Sequence, residues 1–137
     1  MSDNLTLVQE AYDGFARGDV EPLLSILGEN IEWYEAEHVT YWPGGAFKGP
    51  QAVLEGVIIR IPQDFDNFTI NIGRILGCGD TVVVEARYQA TSAKSSGKPR
   101  DAQVVHIWDF EGDKVVRWQQ YTDTWQFAQL TGVEHPL

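Results

Sequence analysis

Residues 100–125 read RDAQVVHIWDFEGDKVVRWQQYTDTW, two runs rich in β-branched and aromatic residues that hinge on Glu111-Gly112-Asp113. A glycine between two acidic residues suits a tight turn, so Arg100–Phe110 and Lys114–Trp125 are expected to be neighbouring antiparallel strands. Side chains alternate between the two faces of a strand. Val104, His106, Trp108 and Phe110 therefore share one face of the first run, and Val105, Ile107 and Asp109 the other. Both faces are partly apolar, as in a central strand. On the second run Trp118, Gln120 and Thr122 have one parity, and Arg117, Gln119, Tyr121 and Asp123 the other.

Working outward, Phe68–Leu76 and Thr81–Thr91 have the same strand composition. Gly77-Cys78-Gly79-Asp80 and the Lys94–Pro99 loop separate the runs, which predicts an antiparallel meander. Towards the N-terminus the period changes. Leu5, Val8, Ala11, Tyr12 and Phe15 recur at helical spacing, and Gly18 stops that helix. Asp19 offers an N-cap for a second helix carrying Leu23, Leu24, Ile26 and Leu27, closed by Gly28. Ile31–Glu35 alternates as a strand. A third helix starts at Pro50, buries Val53, Leu54, Val57, Ile58 and Ile61, and ends at Pro62. Helix, helix, strand, helix and four long strands indicate an α+β fold. Three N-terminal helices would pack on a strongly bent, mainly antiparallel sheet that closes into a cone, and residues 1–137 would form one domain.

The chain has 137 residues, of which 43% are hydrophobic, enough for a core. A formal net charge of −10 makes nucleic acid and anionic membranes poor partners, because phosphate binding needs clustered Lys and Arg. A single cysteine, Cys78, excludes an internal disulfide and a Cys-rich zinc site. Met1-Ser2-Asp3-Asn4 is polar and no run approaches the ~18 apolar residues of a membrane helix, so a cytoplasmic protein is expected. No nucleophile elbow, phosphate-binding glycine loop or dinucleotide fingerprint occurs, so no cofactor is expected.

Two polar residues fall where the pattern calls for apolar ones. Glu35 shares the parity of Ile31 and Trp33, the face that looks inward. A carboxyl group there loses hydration, its pKa rises, and it becomes suited to proton transfer. If the strand ends at Tyr34, Glu35 instead meets solvent. His106 is either a core histidine satisfied by a neighbour, or an acid, base or hydrogen-bond donor in a cavity. His38 and His135 show no ligand spacing with it, so no metal site is expected. Asp123 either caps the segment Gln126–Leu130 or takes part in catalysis. Tyr12 is a core aromatic whose phenol needs a partner if buried.

The order helix–Gly18-Asp19–helix, then Glu29–Glu35, Phe47-Lys48-Gly49-Pro50-Gln51-Ala52-Val53 and Glu111-Gly112-Asp113-Lys114-Val115-Val116 spans roughly residues 5–130. Over that span the chain resembles a SnoaL-like member of the nuclear transport factor 2-like (NTF2-like) superfamily, which also contains ketosteroid isomerase and the polyketide cyclases. The resemblance to the isomerase puts Glu35 where that family has its general-base aspartate, and His106 where it has the protonated oxyanion-hole aspartate. The isomerase's helix-one tyrosine falls on Ala11, one residue from Tyr12, and one residue turns a helical side chain by about 100°. The cyclases likewise have a histidine in the penultimate strand, matched by His106. Their acid/base aspartate falls on Gln120, with Asp123 three residues further and on the opposite face.

The resemblance implies acid/base chemistry on a small, largely apolar carbonyl-type compound inside the cone. Glu35 would move the proton, with Asp123 as a further candidate, and His106 would donate a hydrogen bond to the developing oxyanion. Tyr12, Trp33, Trp42, Trp108, Trp118 and Gln120 would form the walls. A carboxyl group paired with an imidazole predicts a bell-shaped pH profile. A cavity that binds without turnover is the alternative. A third reading is an interaction domain whose exposed sheet face, including Val105, Ile107, Gln119 and Tyr121, forms a homodimer; dimerisation is compatible with all three.

Overall fold

Asp3 opens the described part of the chain, residues 3–131 of this computed structural model, by accepting the Leu5 N–H at 2.9 Å and so capping α1 (Asn4–Ala16). The buried stripe of α1 is Val8, Ala11 and Tyr12, as the spacing predicts. Gly18 leaves the helix at φ +80°, a conformation that favours glycine. Asp19 accepts the Glu21 N–H at 3.1 Å at the start of α2 (Glu21–Ile26).

Gly28 does not close that helix. α2 passes directly into β1 (Leu27–Tyr34), and Gly28 is a strand residue where a Cβ would stand 3.0 Å from the Val115 carbonyl oxygen. Bare backbone there lets a neighbouring strand approach. After β2 (Phe47–Lys48), the third helical region is α3 (Pro50–Val53), a π-helical turn Leu54–Ile58 and α4 (Arg60–Asp64). Pro62 therefore does not end it. Helical bonding restarts after the π turn, which places Pro62 in a first turn, where its missing N–H has no intrahelical role.

The remaining elements are β3 (Phe65–Asp66), β4 (Thr69–Cys78), β5 (Thr81–Ala90), β6 (Ser92–Ala93), β7 (Arg100–Glu111), β8 (Lys114–Thr122) and α5 (Thr124–Thr131). One sheet has the order β2-β1-β8-β7-β5-β4, and β3 pairs with β6 separately. β1 runs parallel to β8, while the other pairs are antiparallel. Register irregularities in the β1/β8, β4/β5 and β7/β8 pairs supply local bends.

Register builds the interior. Trp33 is opposite Trp118, Trp118 opposite Trp108, and Trp108 opposite Val82, a lateral row across four strands. The next row sets Gln120 opposite His106 and His106 opposite Val84. α1 and α2 contribute Val8, Tyr12, Leu23 and Ile26, and the third helical region Val53, Val57 and Ile58, to the same core. Among the described residues, no helix is long and apolar enough to cross a membrane.

Candidate functional site

A cavity of about 60 Å³ opens inside the cone, walled by the inner sheet face, α1, the third helical region and α5. Its lining includes Tyr12, Trp33, Glu35, Tyr41, Phe68, Tyr88, Arg100, His106, Trp108, Trp118 and Gln120. Glu35 and Arg100 are its ionisable groups besides His106 and the tyrosines.

Glu35 follows the last residue of β1 and keeps the parity of Ile31 and Trp33; it is 3% exposed. Its Oε2 accepts the Trp33 indole N–H at 2.9 Å. Burial raises its pKa from 4.5 to about 7, against smaller opposing effects from the Trp33 hydrogen bond and the Arg100 and Arg60 charges. Near neutral pH the group can both take and return a proton.

His106 is buried at mid-β7, and both its nitrogens are engaged. Tyr12 Oη lies 2.6 Å from Nδ1 and Tyr88 Oη 2.5 Å from Nε2. Desolvation lowers the imidazole pKa to about 3, so the ring is neutral at physiological pH. Burial likewise pushes both tyrosines well above their ordinary value.

The ends of this chain are fixed donors. Trp108 gives its indole N–H to Tyr12 Oη at 3.1 Å. Gln120 accepts the Ala36 N–H at 3.1 Å through Oε1, which turns its amide nitrogen towards Tyr88 Oη, 2.6 Å away. A neutral imidazole has one N–H and one bare nitrogen. One tyrosine donates to the bare nitrogen. The other accepts the ring N–H and, with its oxygen already accepting from Trp108 or Gln120, keeps a hydroxyl hydrogen that no member of the chain receives. In either tautomer one phenolic hydrogen remains for a group in the cavity.

Trp33 stacks on Trp118 with ring centroids 3.6 Å apart, and Trp108 meets both edge-on, at 6.4 and 6.1 Å. The Trp118 indole nitrogen is buried without a partner.

The structure thus gathers Glu35, His106, Tyr12, Trp33, Trp108, Trp118 and Gln120 around one space. Two expected members lie elsewhere. Asp123 takes the capping geometry: Oδ1 accepts the Gln126 N–H at 3.0 Å at the start of α5, and the residue does not line the cavity. Trp42 is half-buried outside the wall and packs edge-on against His38, with centroids 4.7 Å apart.

Tyr88, Arg100 and Tyr41 are wall residues that the sequence reading did not single out. For the first two the signal was present. Tyr88 has the parity of Val82 and Val84, and Arg100 that of Val104 and His106, the inward parity in each strand. Tyr41 comes from a loop, where no periodicity points to it; it donates its hydroxyl hydrogen to Asp64 at 2.7 Å. Among the described residues, no three His, Cys, Asp or Glu side chains group to hold a metal ion.

A family model described as a SnoaL-like domain matches residues 8–118. No curated protein matches the chain. An NTF2-like protein from Burkholderia thailandensis is similar over 99% of this chain and 100% of its own, at 25% identity and TM-score 0.89. TerC, crystallised with polyporic acid, is similar over 96% of this chain and 99% of its own, at 26% identity and TM-score 0.82. A protein of ketosteroid isomerase-like fold from Catenulispora acidiphila, in complex with trimethylamine, shares the fold at 16% identity and TM-score 0.74, over 93% of each chain.

Proposed function

We infer the function from one premise, that the chain belongs to the SnoaL-like domain family: it performs acid/base chemistry on a small, largely apolar carbonyl-type compound held in the cone. Glu35, as the carboxylate, takes a proton from a carbon beside the carbonyl or from water. Negative charge then develops on the carbonyl oxygen. The phenolic hydrogen left over by the Tyr12–His106–Tyr88 chain is donated to that oxygen, and the protonated Glu35 returns the proton elsewhere on the compound.

The carrying observation is the coincidence, around one cavity, of a buried carboxyl group titrating near neutrality and a hydrogen-bond chain with one hydrogen to spare. His106 then acts as a positioning residue. Its nitrogens face tyrosine hydroxyls, so the tyrosine rather than the imidazole meets the oxyanion, which revises the direct-donor role that the resemblance implies.

The test is hydrogen–deuterium exchange at the α′- and γ-carbons of a panel of small enones in D2O, followed by proton NMR. Catalysed exchange is expected with the unaltered protein. Glu35→Gln is expected to abolish it while leaving binding within a few fold. Exchange that survives Glu35→Gln removes the proposed proton carrier.

A second reading, ligand binding without turnover, is favoured by one departure: Gln120 stands where the cyclases have an aspartate, and its amide is committed to Ala36 and Tyr88. Tight binding of the panel without exchange of any member would select this reading.

A further inference from the structure

Arg100 takes no part in the proposed proton transfer. It begins β7 with its side chain 5% exposed, and it lines the cavity. Its Nε is fully buried without a hydrogen-bond partner, and none of the five ion pairs of the described residues includes it. Its surroundings are aromatic. The guanidinium carbon lies 4.6 Å from the ring centre of Phe127, 4.7 Å from Phe65, 4.8 Å from Tyr88 and 5.7 Å from Phe68.

Rings attract a cation but do not take up its five N–H donors as a carboxylate does. A buried charge normally has an ionic partner, because the hydration it loses is otherwise uncompensated. Burial lowers the pKa of Arg100, yet an arginine keeps its proton in proteins. The cation is therefore held in the cavity wall with its hydrogen-bonding capacity unspent.

We propose that Arg100 is an anion-recognition group, and that the compound bound in the cone carries a carboxylate which pairs with this guanidinium. The proposal rests on the reading of the cavity as a ligand site and names the class of compound that enters it. A carboxylate matches the planar fork of an arginine through two parallel hydrogen bonds, and the aromatic surround excludes the water that would weaken them. While Glu35 is protonated, the cavity has one net positive charge, which a monoanion balances. In a chain of net charge −10 the general field repels anions, so local pairing has to supply the attraction.

The cavity, at about 60 Å³, is small beside the ~150 Å³ void that admits benzene. The probes are therefore graded in size: acetate, benzoate and 2-naphthoate, each compared with its amide by calorimetric titration. At least one acid is expected to bind at least tenfold more tightly than its amide. The Arg100 Nε–H resonance should shift as that acid is added. Arg100→Met is expected to erase the preference and, at about pH 6, where Glu35 is protonated, to raise the Tm of the ligand-free protein, since a buried charge without an ionised partner has been replaced by an apolar chain.

Three results overturn the proposal: no acid outbinds its amide, the preference survives Arg100→Met, or Arg100→Met lowers the Tm or fails to fold, as a structural cation would require. Glu35→Gln separates the two proposals. It removes the proton carrier, yet the preference for the acid should persist, so failed exchange chemistry and failed anion recognition are distinct outcomes.

Discussion

Replacing Glu35 by glutamine tests the electrostatics of the cavity in the ligand-free protein. Glutamine keeps the shape, and its amide oxygen can still accept the Trp33 indole hydrogen, but it cannot ionise. Burial is the main reason that Glu35 titrates at about 7 in the native protein rather than at 4.5. The native state therefore binds more protons than the unfolded chain between these values, and stability falls as pH rises through them. Below about 4.5 the carboxyl group is neutral in both states and the penalty is absent; above about 7 it is complete. The interval, at about 1.4 kcal/mol for each tenfold change in proton affinity, amounts to about 3 kcal/mol. Only 3% of Glu35 is exposed, so solvent screening does little to reduce this. Urea unfolding of both proteins from about pH 4 to about pH 8 should show Glu35→Gln gaining about 3 kcal/mol on the parent, or roughly 10 °C in Tm for a domain of this size. A gap that does not change with pH would mean that Glu35 is not desolvated and would refute the reasoning.

Further outcomes follow from the same geometry. Because His106 is held near 3 and the tyrosines are pushed up, turnover should rise once through about pH 7 and then level off, in place of the bell expected from a titrating imidazole. A falling limb below pH 9 would require another ionising group. Tyr12→Phe and Tyr88→Phe should each lower turnover by about a hundredfold, the effect of losing one oxyanion donor. As the chain spares one hydrogen at a time, the double variant should cost far less than the product of the two, and simple multiplication would count against a shared hydrogen. A homodimer through the outer sheet face would cover Tyr121, now 56% exposed, so Tyr121→Arg should shift sedimentation from dimer to monomer; a monomeric parent would exclude that interface.

What was legible in the sequence follows from what alternation encodes. Alternation records the face a side chain takes, and four long strands with short turns left little freedom in their pairing. The parallel contact between β1 and β8 joins segments some eighty residues apart, and no local pattern specifies it. Glu35 and His106 could be picked out because polar residues on an apolar parity are conspicuous. Tyr88 has the same parity but passes for core, since a phenol becomes informative only when its oxygen's partners are known. Arg100 opens a strand next to a Lys- and Ser-rich loop, where an arginine reads as solvated. Its burial depends on Phe65, Phe68 and Phe127, which converge from two segments some sixty residues apart.

Asp123, expected as a cap or a catalytic group, lies on the face opposite Gln120 and caps α5, and Trp42, expected in the wall, comes from a loop where alternation does not apply. Alternation also does not count protons. In the proposed reaction the oxyanion role moves from His106 to a tyrosine not because the histidine faces the wrong way, but because both its nitrogens are occupied and a neutral ring between two phenols has one accepting nitrogen too few to take both of their hydrogens. The proposed chemistry of this cavity therefore rests on two imbalances: a spare hydrogen in the tyrosine–histidine chain, and, while Glu35 is protonated, a positive charge on Arg100 that no anion balances. A compound with a polarised oxygen and an anionic group would resolve both at once.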